Sequence, residues 1–326
     1  VLSIKVTDQL NTTYLKNLNT KKTKFLITIA GPTAVGKTST TISLAQRYDA
    51  SVFSADSRQL YREMSIGTAK PTSEELEAAP HHFIDHISLT EPYNAGQYER
   101  DFDKKIQEYF LENDVAILSG GTGMYINAAL NGLDNFPPVS QEVKRHFAQI
   151  METNGIEELQ RLLRQQDPDY AMNVDLENPR RIARALEVMA AGDRTYTAYL
   201  DQRTTKQHDF QVLKICLTRP REELYDRINQ RVDMMIKQGL VAEVRSLTPM
   251  QSYSSMDTVG YREIFQYLDG EISLERAIEL IKRNSRRYAK RQMTWFRNQG
   301  EWIMVEADDY DAIIEHIEEW IGSCGE

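Results

Sequence analysis

The sequence predicts an α/β fold: a parallel sheet flanked by helices, built on a phosphate-binding (P-loop) turn, with an all-helical insertion domain. Three observations carry this. Residues 25–38 read as a buried strand, a glycine-rich loop and the start of a helix. Short apolar runs recur at 51–53, 115–118 and 212–217, with helical patterns between the earlier ones. Residues 141–200 are rich in Glu, Arg, Gln, Leu and Ala, with helical periodicity and almost no strand-like run. At 326 residues the chain suggests two domains, on about 150 residues each. Composition divides it into a flexible lead-in over 1–23, a core of 24–135 with 210–326, and a helical insertion over 136–209. The insertion is entered at Phe136-Pro-Pro.

The first loop is the most specific signal. Gly31, Pro32, Thr33, Ala34, Val35, Gly36, Lys37 and Thr38 have the spacing of a phosphate-binding loop. Its glycines let successive N–H groups turn inward around an anion. A helix starting near Lys37 adds its positive end. Lys37 supplies a charge, and Thr38 a hydroxyl for a magnesium ion. The pattern implies a bound polyphosphate without saying which.

Asp56 follows the second strand, on the sheet edge where open α/β folds bind ligands. A helix N-cap or turn role suits that position equally. His81, His82 and His86 tempt a metal reading. Nothing nearby completes a ligand set, so a loop leading into a strand is preferred. Residues 94–113 form a helix, with Tyr98, Phe102 and Ile106 on its apolar side. The strand at 115–118 runs into Ser-Gly-Gly-Thr-Gly (119–123), a second ligand-facing turn. It lacks the terminal Asp that helps nucleotide hydrolases hold magnesium. Thr38, with Asp56 through water, would have to do that work.

Arg180, Arg181 and Arg184 lie in the first turns of a helix opened by Asn178-Pro179. They oppose its dipole, which suits an anion or acidic neighbour, although a solvated basic face remains open. A helix capped by the 218–223 segment carries Arg219, Arg221, Arg227 and Arg231. Arginines so placed close over polyphosphates, but spacing does not choose among the four. The C-terminal third reads as helical.

The formal net charge is −9, which by itself argues against nucleic acid. The distribution argues otherwise. Residues 282–297 hold seven Lys/Arg and no acid, and without them 32 basic face 48 acidic residues, a net of −16. Arg283, Arg287, Lys290, Thr294 and Arg297 follow the spacing of one helix face, with Tyr288, Trp295 and Phe296 interleaved. The mixture suits an anionic polymer with stackable bases. A solvated face with aromatics in the core fits the same composition. No apolar run approaches the ~18 residues of a membrane span. The absence of a signal-peptide core makes a cytoplasmic location the expectation. Cys216 and Cys324 lie too far apart for a multi-cysteine zinc site.

Taken together, the ordered motifs resemble the tRNA dimethylallyltransferase family, the bacterial isopentenyl-tRNA transferases, over about residues 25–297. They are Gly-Pro-Thr-Ala-Val-Gly-Lys-Thr (31–38), Ser-Ala-Asp-Ser-Arg-Gln-Leu-Tyr (54–61), Ile-Gly-Thr-Ala-Lys-Pro (66–71) and Gly-Gly-Thr-Gly-Met-Tyr (120–125). Asn-Pro-Arg-Arg-Ile-Ala-Arg-Ala-Leu-Glu-Val (178–188), Val-Gly-Tyr-Arg-Glu (259–263) and Tyr-Ala-Lys-Arg-Gln-Met-Thr-Trp-Phe-Arg (288–297) complete the set.

The resemblance implies transfer of a dimethylallyl group from its diphosphate to N6 of the adenosine 3′-adjacent to the anticodon in tRNA. The loop then holds a diphosphate leaving group, which fits the missing strand-end Asp. Asp56 is implied as general base, Thr122 as a group holding the acceptor, and Lys37 as a charge on the diphosphate. Gly31 to Thr38, with Arg227 and Arg231, are implied to bind diphosphate, and Thr38 and Asp56 to hold Mg2+. The implied contacts to the tRNA anticodon stem-loop fall in five groups. They are Asp56, Ser57, Arg58 and Gln59; Thr122 and Lys144; and Arg180, Arg181, Ile182, Ala183 and Arg184. Asp257, Thr258, Val259, Gly260, Tyr261 and Arg262 form the fourth, and Lys290, Arg291, Gln292, Trp295 and Arg297 the fifth. A monomer is expected. Three rivals stay open on residues alone: a P-loop small-molecule kinase with a helical lid, a prenyltransferase acting on free adenine nucleotides, and a non-enzymatic RNA-binding protein.

Overall fold

A computed structural model describes residues 23–202 and 206–324. The lead-in expected over 1–23 falls almost wholly outside them. In chain order the first half runs β1 (Phe25–Ala30), α1 (Lys37–Tyr48), β2 (Ser51–Ser54), α2 (Ser73–Ala78), β3 (His81–His82), α3 (Ala95–Tyr109), β4 (Val115–Gly120) and α4 (Gly123–Asn131). Four helices follow: α5 (Gln141–Gln166), α6 (Pro168–Asn173), α7 (Pro179–Ala191) and α8 (Tyr196–Leu200). The chain then continues with β5 (Gln211–Thr218), α9 (Arg221–Gln238), α10 (Leu240–Ser246), α11 (Tyr261–Leu268), α12 (Leu274–Asn298), β6 (Ile303–Glu306) and α13 (Tyr310–Ser323).

The six strands form one sheet, order β3-β2-β4-β1-β5-β6, with every pairing parallel. Parallel strands buried on both faces read as continuous apolar runs, and β1 shows why. Leu26 and Ala30 join the core on one face with Phe53, Leu118, Tyr98 and Phe102. Ile27 and Ile29 join the other, with Val52, Ile117, Leu44 and Ile313. Each fully buried Leu, Ile, Val or Phe among them contributes roughly 1.5–3 kcal/mol. Tyr98 also donates from its hydroxyl to the Ser54 carbonyl at 3.0 Å, fixing the end of β2.

The described residues divide into two compact units, one of residues up to 130 and from 208 onward, the other of 131–207. Among its described residues the second unit contains helices and no strand. Its core gathers Phe147, Leu159, Leu163, Ile182 and Leu186. Buried Asp167 ties α6 to α8, accepting from Tyr170 N, Thr197 N and Thr197 Oγ1. Gly155 breaks α5 with φ +78°, a backbone state glycine adopts without penalty.

Three local expectations need correction. The C-terminal third is not wholly helical: β6 adds a sixth strand beside β5. The residues of 218–223 do not cap α9 through a side chain. Its N-cap is Pro220, and the Thr218 hydroxyl is spent on the Val305 carbonyl at 3.2 Å. The helix expected to reach residue 113 ends at Tyr109.

A candidate active site at the carboxyl edge of the sheet

Strand register brings three loops together. Ala30 pairs with Gly120, and Ser54 with Ser119, so β1, β2 and β4 end level. The phosphate loop, Asp56 and the glycine turn therefore leave the sheet on one edge. A cleft of about 730 Å³ opens there, and its lining includes Lys37, Thr38, Asp56, Gly121, Arg231 and Tyr288.

The loop is shaped by backbone states that few residues accept. Gly36 has φ +120°, and Ala34 takes φ +65° although it has a Cβ. Lys37 Nζ donates to the carbonyls of Gly31 (3.0 Å) and Pro32 (2.9 Å). Burial pushes its ammonium down to about 8; Asp56 and Cys216 pull it up, and Arg231 adds to the push.

The four arginines that spacing could not rank separate clearly. Arg219 donates from Nε to the Val35 carbonyl at 2.6 Å and is ion-paired with Glu223 and Asp308. Arg221 lies over the Tyr225 ring. Arg227 and Arg231 line the cleft. Arg227 Nε donates to the Ala34 carbonyl at 2.9 Å, and Arg231 reaches the Thr33 hydroxyl at 3.3 Å. Burial lowers the Arg231 pKa, with Asp56 opposing.

Asp56 combines the two roles its position allowed. Its Oδ1 accepts from the backbone N–H of Arg58 (2.8 Å) and Gln59 (3.2 Å), a local turn. The same carboxylate lines the cleft. Thr122 is not part of the cleft lining. Its Oγ1 accepts from Ser57 N at 3.2 Å, which ties it to the Asp56 segment. Tyr288 borders both groups: burial and the Asp56 charge raise its pKa, and a hydrogen bond with Thr122 lowers it. Thr38 and Asp56 offer hydroxyl and carboxylate oxygens, the hard donors magnesium takes alongside phosphate and water. The histidine triplet is absorbed structurally. His81 and His82 form β3, and the His82 ring packs 4.6 Å from Phe53. Among the described residues no group of three or more His, Cys, Asp or Glu could hold a metal.

Two carboxylates given no role by the sequence hold the walls. Glu243 accepts from the N–H groups of Ser65, Ile66 and Gly67 and from the Tyr261 hydroxyl at 2.6 Å. It thereby fixes the loop whose Thr68 and Ala69 carbonyls accept from Gln59 Nε2. Glu263 accepts from Gly260 N, Asn284 Nδ2 and Arg262, and so shapes the 257–262 turn.

The remaining expected contacts fall into groups. Ser57, Arg58, Gln59, Asp257, Thr258, Val259, Gly260, Arg262 and Arg291 border the cleft. Lys290 and Arg297 are exposed on α12 with Arg283, Arg287 and Thr294, the whole face that helical spacing predicted. Tyr261 and Ile182 are buried, so their side chains serve the core. Gln292 is 7% exposed and Trp295 is packed against the glycine turn. In the helical unit, Lys144, Arg180, Arg181 and Arg184 are exposed, and Arg184 lies over the Phe136 ring. Spacing alone could not have assigned the parts played by Glu243, Tyr288 and Arg219, because each depends on elements distant in sequence.

Sheet and site together define a phosphate-loop α/β protein whose loop faces a carboxylate and a glycine turn rather than a strand-end Asp. The IPP transferase family model matches residues 59–299. A tRNA dimethylallyltransferase of Christiangramia forsetii is 44% identical over 300 residues, spanning 92% of this chain and 99% of that protein. The tRNA dimethylallyltransferase 1 of Bacteroides thetaiotaomicron is 45% identical over 292 residues, spanning 90% of this chain and 94% of that protein. The solved tRNA isopentenylpyrophosphate transferase of Bacillus halodurans superposes with TM-score 0.66 at 36% identity, covering 92% and 96%. A eukaryotic dimethylallyltransferase acting on tRNA gives TM-score 0.76 at 27% identity, covering 88% and 75%. The chain belongs to the IPP transferase family, the family its ordered motifs resemble. No helix among the described residues is long and apolar enough to cross a membrane.

Proposed function

We propose that this chain transfers a dimethylallyl group from dimethylallyl diphosphate to N6 of the adenosine 3′-adjacent to the anticodon of a tRNA. One observation carries the reading: Lys37, Asp56 and the glycine turn meet at one cleft, in a chain that matches tRNA dimethylallyltransferases over most of its length.

The loop amides, Lys37, Arg227 and Arg231 hold the diphosphate. The carbon–oxygen bond to diphosphate breaks as the bond from N6 to that carbon forms, and negative charge gathers on the departing oxygens. Lys37 and the arginines stabilise that charge. Asp56 accepts the N6 proton as general base. Thr122, held beside Ser57, orients the acceptor. Magnesium, held by Thr38 and by Asp56 through water, would supply further charge stabilisation on the diphosphate. The target base must leave its stack to reach the carbon. Ser57, Arg58, Gln59, Lys144, Arg180, Arg181, Arg184, the 257–262 turn, Lys290, Arg291, Trp295 and Arg297 supply tRNA contacts. A monomer acting in the cytoplasm is part of this proposal, and a tRNA substrate supports that compartment.

The test is nucleoside mapping. Purified protein, dimethylallyl diphosphate and an unmodified tRNA should yield N6-dimethylallyladenosine at the position 3′ to the anticodon, and AMP should stay unmodified. Prenylation of AMP with none of tRNA would overturn the reading.

A further inference from the structure

We infer that Gln292 is a positioning residue for this reaction rather than a tRNA contact: its carboxamide locks the phosphate loop to the glycine turn and sets the gap between donor and acceptor. The inference rests on the proposed function, which assigns the loop to the diphosphate and the turn to the acceptor.

Gln292 lies on α12 and is 7% exposed. Its Oε1 accepts from Thr33 N in the phosphate loop at 2.9 Å. Its Nε2 donates to the Gly121 carbonyl at 2.9 Å. One end of the side chain thus holds each loop. β1 and β4 are paired up to Ala30 and Gly120, and the ladder stops there. Beyond it, this carboxamide is a direct bridge between the two segments.

A carboxamide meets both demands without a proton to gain or lose. A side-chain amide carries one acceptor and one donor group in a fixed fork, and the two partners dictate its orientation. A carboxylate would set an oxygen against the Gly121 carbonyl. A thioether would leave both backbone groups unpaired.

The turn is built to receive it. A Cβ on Gly121 would come within 2.4 Å of Gln292 Nε2, and one on Gly123 within 2.4 Å of the Trp295 ring. Gln292 and Trp295 are three residues apart, hence on one face of α12. The exposed basic side chains Arg283, Arg287, Lys290 and Arg297 occupy the other side. The helix that offers charge to a polyanion therefore also spans the two loops where donor and acceptor meet. Transfer needs the reacting atoms about 3–3.5 Å apart, and a displacement of about 1 Å costs on the order of 10²-fold.

The experiment uses the full chain and measures single-turnover transfer to tRNA, tRNA affinity and melting temperature. Gln292→Met keeps the volume and removes both bonds. It should lower the single-turnover rate on the order of 10²-fold and leave tRNA affinity near wild type. Gln292→Glu should be similarly slow near neutral pH. On acidification its buried carboxyl takes up a proton and regains one donor and one acceptor. Its rate relative to wild type at the same pH should then recover, which a purely volumetric role would not produce. Wild-type rates with weakened tRNA binding in both variants would make Gln292 a tRNA contact and overturn the proposal. So would slow variants with lowered melting temperature and no recovery in acid. A wild-type protein that transfers nothing to tRNA would instead remove the proposed function itself.

Discussion

Arg219 and Asp308 form an ion pair at the carboxyl edge of the sheet, and the pair turns Arg219 onto the phosphate loop's own carbonyl at Val35. The guanidinium is thereby committed to the fold, its side chain only 7% exposed, whereas Arg231 faces the cleft. Arg219→Ala should cost about 1–2 kcal/mol through the lost hydrogen bonds and lower the melting temperature. Exposed Asp308 adds little to that figure, because solvent screens the pair. Arg231→Ala should leave the melting temperature nearly unchanged and raise the KM for dimethylallyl diphosphate. Melting curves and donor titrations on the two variants decide the matter. The reverse pattern would mean the roles have been exchanged.

Asp56→Asn isolates proton transfer from architecture. Asn keeps an oxygen for the N–H groups of Arg58 and Gln59, so the turn survives. Loss of the base should lower the single-turnover rate by ~10²–10⁴-fold, with diphosphate affinity and melting temperature largely preserved. A near-wild-type rate would remove the general-base role.

Much of the sheet is legible because parallel strands buried on both faces leave nearly continuous apolar runs, unbroken at 115–118 and interrupted only by Thr28 at 25–30. β6 was not, since Ile303 to Glu306 is short, sits at the edge and buries only Val305 fully. The phosphate loop was legible because its function lies in local backbone geometry. Ranking the arginines was not, because Arg219 is diverted by Asp308, 89 residues away. From sequence, Gln292 reads with its neighbours as a polymer contact. Its partners Thr33 and Gly121 lie 259 and 171 residues off, and no spacing rule reaches them.

Lys37 gives a pH dependence. Its ammonium titrates near 8 in the folded protein against 10.5 for the unperturbed group. Between those values the unfolded chain holds the extra proton, so this group's contribution to stability rises with pH across that window. Below about 8 the cost of burying the charge is fully present. Diphosphate needs the charged form, so donor affinity should fall as pH rises through about 8. Binding of dimethylallyl diphosphate measured against pH should show that step in wild type and not in Lys37→Met. An identical step in both would assign it elsewhere.

Lys290 tests the basic face. It is exposed on α12, in a segment holding seven Lys/Arg and no acid. Phosphates neutralised by such side chains release counterions. Lys290→Ala should weaken tRNA binding and flatten the log–log salt slope by up to about 0.7–0.9, with donor affinity unchanged. Parallel salt plots with a lowered melting temperature would mark Lys290 as structural.

The most direct measurement sets the two phosphate-loop chemistries against each other. Purified protein is given radiolabelled dimethylallyl diphosphate and tRNA, or ATP with a panel of small acceptors, each with magnesium. Label should enter tRNA in step with diphosphate release, Asp56→Asn should abolish most of it, and ATP should not be consumed. ATP turnover with phosphoryl transfer, and no label in tRNA, would contradict it.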